Sequence, residues 1–204
     1  MKAFFLMMIM VCLMLFQACE SEDKTPKKQI DGEGPIITMN LDLPAFHRIN
    51  NSGVSNVYVT IGSPQSVTLK AQQNIIDILR WQVSNNTFLI GIDENINIGE
   101  SEEIWFDVVI EDLSEISLLG VGSFILEGDF VDELSISLIG VGEVRAYELE
   151  TGICRIVSTG VGNCWVHVRD ELDVTLTGVG NVYYRGSPNI FQQATGIGNL
   201  YNDN

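Results

Sequence analysis

A chain of 204 residues with 27 acidic against 11 basic side chains carries a formal net charge of −16. A surface that acidic repels phosphate backbones, which excludes nucleic-acid binding. Hydrophobic residues make up 46% of the chain and 19 glycines stand against 5 prolines, a composition suited to an all-β chain with many tight turns.

Met1-Lys2 is a short positive start, and residues 3–16 form an unbroken apolar run. The run is too short to span a bilayer comfortably and the right length for a signal-peptide core. It ends in Phe16-Gln17-Ala18-Cys19, a small residue followed by cysteine, which resembles a bacterial lipoprotein cleavage box although Phe16 and Gln17 depart from the usual residues. The expectation is a lipoprotein signal peptide over 1–18, with Cys19 as the lipidated N-terminus and the membrane as a partner through that lipid. Its removal costs only one charged residue, Lys2, leaving a net charge of −17. Glu20-Ser21-Glu22-Asp23 and the polar residues up to Gly34-Pro35 read as a flexible tether over 19–35. An acidic patch behind the cysteine resembles the signal that sends some Gram-negative lipoproteins to the outer face of the outer membrane, so a surface-exposed address is expected.

The folded domain is expected over 36–204. Between Phe46 and Ile61 two short strands flank Asn50-Asn51-Ser52-Gly53, with Val57, Val59 and Ile61 alternating against polar neighbours. Further strands are predicted at Val67–Lys70, Phe88–Ile92 and Ile104–Ile110, the last two separated by an acidic loop, Asp93 to Glu103. Over Asn74–Trp81 the spacing of Ile75, Ile76, Ile78 and Leu79 also allows a single helical turn. Residues 36–110 are less regular than residues 111–204 and are expected to cap them.

From Gly120 onward one word returns: Gly120-Val121-Gly122, Gly140-Val141-Gly142, Gly160-Val161-Gly162, Gly178-Val179-Gly180 and Gly196-Ile197-Gly198. First glycines are spaced by 20, 20, 18 and 18 residues. Aligned on them, Ile116, Ile136, Ile156, Val174 and Gln192 share a column, as do Phe124, Val144, Cys164, Val182 and Leu200. The intervening columns are mostly polar, so the period is two and the elements are strands with one face inward. Strands recurring at this interval predict a single-stranded right-handed parallel β-helix, a solenoid with coils of 18–20 residues over 111–204. Each Gly-x-Gly marks a corner, where positive φ or close backbone approach favours glycine. Asn163, Asn181 and Asn199 then read as amides stacked along the coil axis.

The Gly-Val-Gly-Asn-Val words, the Phe46…Gly53-Val54…Val57 opening and the lipoprotein start together resemble the putative auto-transporter adhesin, head GIN domain family. The resemblance covers about Ile36 to Asn204. It implies an exported β-helical lipoprotein and carries no catalytic residues with it.

No catalytic, zinc or phosphate-loop word is present. His47 and His167 lack a carboxylate at a recognisable catalytic spacing, and no cofactor is expected. Cys154 and Cys164 occupy aliphatic columns and read as inward small hydrophobes, with a disulfide between them left open. Asp129, Asp132, Glu133, Glu148, Glu150, Asp170, Glu171 and Asp173 would stack into an acidic ridge near Arg145, Arg169 and Arg185. The ridge is either a solvated edge or, as the alternative, the calcium-assisted site of a polysaccharide-cleaving enzyme. One residue past the inward column, Trp165, Tyr183 and Tyr201 form an outward aromatic strip, the candidate binding surface. The leading expectation is a non-enzymatic, adhesin-like envelope lipoprotein binding carbohydrate or protein. Self-association and a purely structural envelope role stay open.

Overall fold

A computed structural model describes residues 27–204. The signal peptide expected over 1–18, Cys19 and the first part of the tether lie outside the described residues. The remainder of the expected tether contains a strand, β1 (Lys28–Ile30), which pairs in parallel with β8 (Ile96–Ile98) inside the acidic loop.

The first part of the domain contains β2 (Ile36–Leu41), β3 (Arg48–Asn51), β4 (Asn56–Ile61), β5 (Ser66–Gln72), a helical turn α1 (Gln73–Ile76), β6 (Leu79–Ser84), β7 (Thr87–Ile92) and β9 (Trp105–Ile110). The ambiguous stretch after Asn74 thus divides, its start helical and its end extended. Asn85 and Asn86 both take positive φ, +50° and +58°. That is what a two-residue primed hairpin turn requires, and it returns β7 antiparallel on β6. The second part contains β10 (Glu115–Leu118), β11 (Val121–Leu138), β12 (Val141–Ser158), β13 (Cys164–Leu176), β14 (Val182–Arg185), β15 (Asn189–Ala194) and β16 (Leu200–Asn202). These strands pair in parallel, and the aligned columns lie in register: Ile116 on Ile136, Ile156, Val174 and Gln192, and Phe124 on Val144, Cys164, Val182 and Leu200.

The expected single-stranded right-handed parallel β-helix is corrected. β2 to β7 and β9 to β16 form one mixed fourteen-stranded sheet that curls into an open half-barrel. β2 with β5, β5 with β9, and β6 with β7 are antiparallel. Stacking also departs from chain order. β3 lies between β7 and β10, and β4 between β9 and β11, so an early segment is lodged between later ones. Counting Gly-x-Gly words detects only segments that resemble one another, and therefore misses hairpin reversals and insertions of this kind.

Long strands curl the sheet. β11 pairs with β4 through Phe124–Glu127 and with β10 through Glu115–Leu118 against Ser135–Leu138, and between these halves it bends at Gly128, φ +154°. The two arms enclose one core. Its wide end holds Phe46, Phe88, Phe106 and Phe124, with ring centroids 5.2 Å apart for Phe46–Phe88 and 5.8 Å for Phe88–Phe106. Toward the C-terminus the same positions shrink to Val144, Cys164 and Val182.

The glycines divide into two kinds. Gly122, Gly142, Gly162 and Gly180 have φ between +142° and +151°, a region closed to most L side chains. Gly120, Gly140, Gly160, Gly178 and Gly196 have no such φ, and Gly198 shares their condition. At all of them a Cβ would collide with a backbone carbonyl oxygen of the neighbouring copy. The aliphatic residue between the two glycines points outward.

Candidate functional site

Strand alternation turns the residue after each inward column position to the outside of the sheet. In-register pairing then aligns Tyr58, Ile125, Arg145, Trp165, Tyr183 and Tyr201 across β4, β11, β12, β13, β14 and β16. Strands lie about 4.8 Å apart, so flat side chains in one column must stack. Trp165 and Tyr183 do so with centroids 5.4 Å apart and planes within 10°, and Tyr183 and Tyr201 at 5.4 Å and 21°. The Arg145 guanidinium carbon sits 5.2 Å from the Trp165 ring centroid, closing one end of the stack by a cation–π contact. Glu143 fixes that guanidinium, accepting from Arg145 Nε at 2.9 Å and Nη2 at 2.7 Å.

Hydrogen bonds beside the stack hold the rings in place. Asn181 Nδ2 donates to the Tyr183 hydroxyl at 3.2 Å, and Asn199 Nδ2 to the Tyr201 hydroxyl at 3.3 Å. The same asparagines make a ladder, with Asn181 N–H donating to Asn163 Oδ1 at 2.8 Å and Asn199 N–H to Asn181 Oδ1 at 3.0 Å. At the other end Asn56 Oδ1 accepts from Ser123 N–H at 3.0 Å, so Gly53-Val54-Ser55-Asn56-Val57 is stacked as a further copy of the word. The geometry has a chemical consequence. The rings spend their faces on one another and present half-exposed edges and hydroxyls to solvent. Only the outer face of Tyr201 is open.

Three of the eight ridge carboxylates, Glu133, Glu150 and Asp170, meet a basic side chain. Arg155 Nη1 lies 3.1 Å from Glu133 Oε2, and Arg169 Nη2 lies 2.8 Å from Asp170 Oδ2. Glu150 lies 3.9 Å from both Arg169 and His167, and Arg169 stacks over Phe130 at 4.5 Å. The Arg169 guanidinium holds the Asp170 carboxyl below its ordinary range. Among the described residues, no group of three or more His, Cys, Asp or Glu side chains converges so as to hold a metal ion. Arg185 does not join this ridge. Its guanidinium carbon lies 3.9 Å from the Tyr147 centroid, and the Tyr147 hydroxyl donates to Asp203 at 2.7 Å. Burial and that carboxylate raise the Tyr147 pKa.

Cys154 lies between Leu134 and Leu172, and Cys164 between Val144 and Val182; both are buried free thiols. Burial pushes the Cys154 thiol up to about 12 and raises Cys164 as well, so neither is a ready nucleophile.

Two surface features went unnoticed in the sequence. One is a groove of about 600 Å³ between the β6–β7 hairpin and β3, lined by Asn50, Arg80, Trp81, Gln82, Leu89 and Leu119. Trp81 was its signal, but the antiparallel strand that carries it was not expected. The other is a line of exposed aliphatic side chains along the Gly-x-Gly corners. Val54, Val121, Val141, Val161, Val179 and Ile197 are joined one to the next in parallel, Val121 to Val141 within the β11–β12 ladder and the others by single bridges. No helix among the described residues is long and apolar enough to cross a membrane.

Comparison with known proteins accords with this architecture. No curated protein matches the chain. The crystal structure of a putative adhesin from Bacteroides fragilis NCTC 9343 superposes with a TM-score of 0.59 at 22% identity, covering 85% of this chain and 99% of that one. A putative lipid binding protein from Parabacteroides distasonis ATCC 8503 superposes with a TM-score of 0.50 at 17% identity, covering 87% and 100%. At these identities the likeness is one of fold. The family model described as putative auto-transporter adhesin, head GIN domain, matches residues 45–132 and 120–188, well over half of the sequence, and the chain belongs to that family.

Proposed function

We propose that the protein is a non-enzymatic, adhesin-like module of the cell envelope, and that its outward Arg145–Trp165–Tyr183–Tyr201 stack docks a protein partner. The stack is the observation that carries this reading. Tryptophan, tyrosine and arginine dominate the binding energy of protein interfaces, and here they are immobilised before any partner arrives, so little side-chain entropy remains to be lost. Sugar rings are held chiefly on aromatic faces, and only Tyr201 has one to offer. The presentation of edges and hydroxyls therefore favours a protein surface over a glycan.

The ridge supports the non-enzymatic reading in part, because Glu133, Glu150 and Asp170 lie beside guanidinium groups, and carboxylates so engaged make poor general acids or cation ligands. The envelope address is part of the same proposal, with Cys19 as the lipid attachment point and the module displayed outside the outer membrane. Labelled palmitate should enter the protein and be lost with Cys19→Ala. A chain processed normally without lipid contradicts the anchor.

The binding test uses cells displaying the full chain on surfaces coated with mucin, collagen or fibronectin, before and after periodate oxidation or protease treatment of the coat. Adhesion that survives periodate, is lost to protease and drops with Trp165→Ala/Tyr183→Ala supports a protein partner. Adhesion abolished by periodate, or reproduced on a protein-free glycan array, overturns it in favour of carbohydrate.

A further inference from the structure

Every column in the second part of the sheet has a neighbour on both sides until β15 and β16. β15 pairs only with β13, and β16 only with β14. Ile190, Gln192 and Ala194 stand directly on Leu172, Val174 and Leu176, three residues buried to within about one per cent. Yet all six residues of β15 are exposed, with Ile190 at 41% and Phe191 at 57%. They occupy inward and outward positions of an unfinished layer. The corner line ends in the same state, since Ile197 is 75% exposed where Val121, Val141, Val161 and Val179 range from 44% to 51%. The asparagine ladder ends at Asn199 Oδ1, and the aromatic stack at the free face of Tyr201.

Exposed sheet edges are ordinarily blocked by lysine, proline or inward-pointing charge, because unpaired N–H and C=O groups invite another strand. This edge carries none of these within Asn189–Ala194. Residues 186–204 hold a single charged side chain, Asp203, in a protein of net charge −16. Asp203 is already taken by the Tyr147 hydroxyl.

We infer that this end face is a self-association surface, which takes the same face of a second copy of the chain about a two-fold axis. Charge singles out the occupant. Two molecules this acidic repel one another across most orientations, and the repulsion is smallest where side chains are neutral. Composition agrees: one face supplies both apolar groups (Ile190, Phe191, Ile197, Leu200) and amides that donate and accept (Gln192, Gln193, Asn199), as an isologous contact demands. A two-fold axis makes the apposed edges antiparallel, and matching strand lengths set β15 on its counterpart, with the axis crossing near mid-strand. At the opposite end the free edges belong to β2 and β6, strands paired antiparallel within the sheet, whereas β15 and β16 end a parallel stack.

The test is disulfide trapping of the full chain in cells. Phe191→Cys lies outward near the middle of β15, and Ser66→Cys on β5 is an exposed control elsewhere on the sheet. After a brief oxidation with copper phenanthroline, Phe191→Cys is expected to double in mass on a non-reducing gel, at least about tenfold more than Ser66→Cys. Adding Gln192→Lys, which places charge at the edge, should abolish the band while leaving the protein's expression and proteolytic resistance unchanged. Equal cross-linking of the two cysteine variants overturns the proposal. So does a Phe191→Cys band that Gln192→Lys leaves intact, or a ladder of higher multimers in place of a dimer.

Discussion

From β11 onward each strand meets a partner 17 to 21 residues along the chain, always parallel, and the same columns recur from copy to copy. In β2 to β9 most arrangements are long-range. Ile49 meets Phe88 on one side and Ile116 on the other, Val57 lies between Phe106 and Phe124, and three of the pairings are antiparallel. The two regions share a sheet and a core but solve burial differently. The second depends on backbones approaching so closely that only glycine fits, with small inward residues. The first depends on large aromatic side chains filling a wider space. Stability in one should therefore be sensitive to adding atoms at corners, and in the other to removing them from the core.

The largest effect is expected from Gly162→Ala. The new Cβ meets the Gly142 carbonyl and the residue keeps φ +150°, so the loss should reach about 4 kcal/mol or more, enough to prevent folding. Gly62→Ala in the first region brings a Cβ only to 3.5 Å from Val109 and should change stability by less than about 0.5 kcal/mol in urea titrations. Similar midpoints for the two variants would erase the distinction. Next comes Phe106→Ala, which empties the wide end of the core and should cost about 3–5 kcal/mol. Calorimetry of that variant tests whether the phenylalanine cluster holds the first region.

How much of this was legible in the sequence divides along the same line. The register of β10 to β16 could be read because each strand resembles its neighbour, and the outward positions of Trp165, Tyr183 and Tyr201 came from simple alternation. Gly53-Val54-Ser55-Asn56-Val57 reads as a degenerate copy of the word, with Ser55 for the second glycine, and β4 does stack on β11; the placement of β3 could not be read, since nothing at Ile49 announces a partner 67 residues later. The β6–β7 hairpin was readable in principle from Ser84-Asn85-Asn86-Thr87, a turn pair between alternating strands. Reading one periodicity across the whole chain concealed it, and with it the mixed sheet and the Trp81 groove. The exposed corner aliphatics escaped notice because a valine between two glycines reads equally as inward or outward.

Smaller effects sharpen the comparison at the junction of the regions. Asn51 is buried; its Nδ2 donates to the Ser55 carbonyl at 2.8 Å and its Oδ1 accepts from Gly53 N–H at 3.1 Å. Asn51→Ala strands both backbone groups and should cost about 1–3 kcal/mol, whereas Asn199→Ala, at the exposed end of the ladder, should cost less than about 1 kcal/mol. A reversed order in denaturant melts would mean that the first copy of the word is not an integral layer.

The smallest effect concerns acid. Arg169 holds the Asp170 pKa below its ordinary value of 3.8, so the ionised carboxylate stabilises the fold above that pH, and the contribution disappears as pH falls through the lower folded value. Asp170→Asn should therefore flatten the stability profile below about pH 4 and leave the neutral range nearly untouched. An unchanged acid limb would remove Asp170 from the account.

The central functional claim is that binding resides on the outward column of the regular region, and neither on its corners nor on the acidic ridge. The direct measurement compares adhesion of cells displaying the parent chain, Trp165→Ala/Tyr183→Ala, and Asp132→Ala/Asp170→Ala, at equal surface levels. We predict a loss of about tenfold or more for the aromatic pair and none for the ridge pair. Full adhesion by the aromatic variant, or its loss in the ridge variant, would contradict the account.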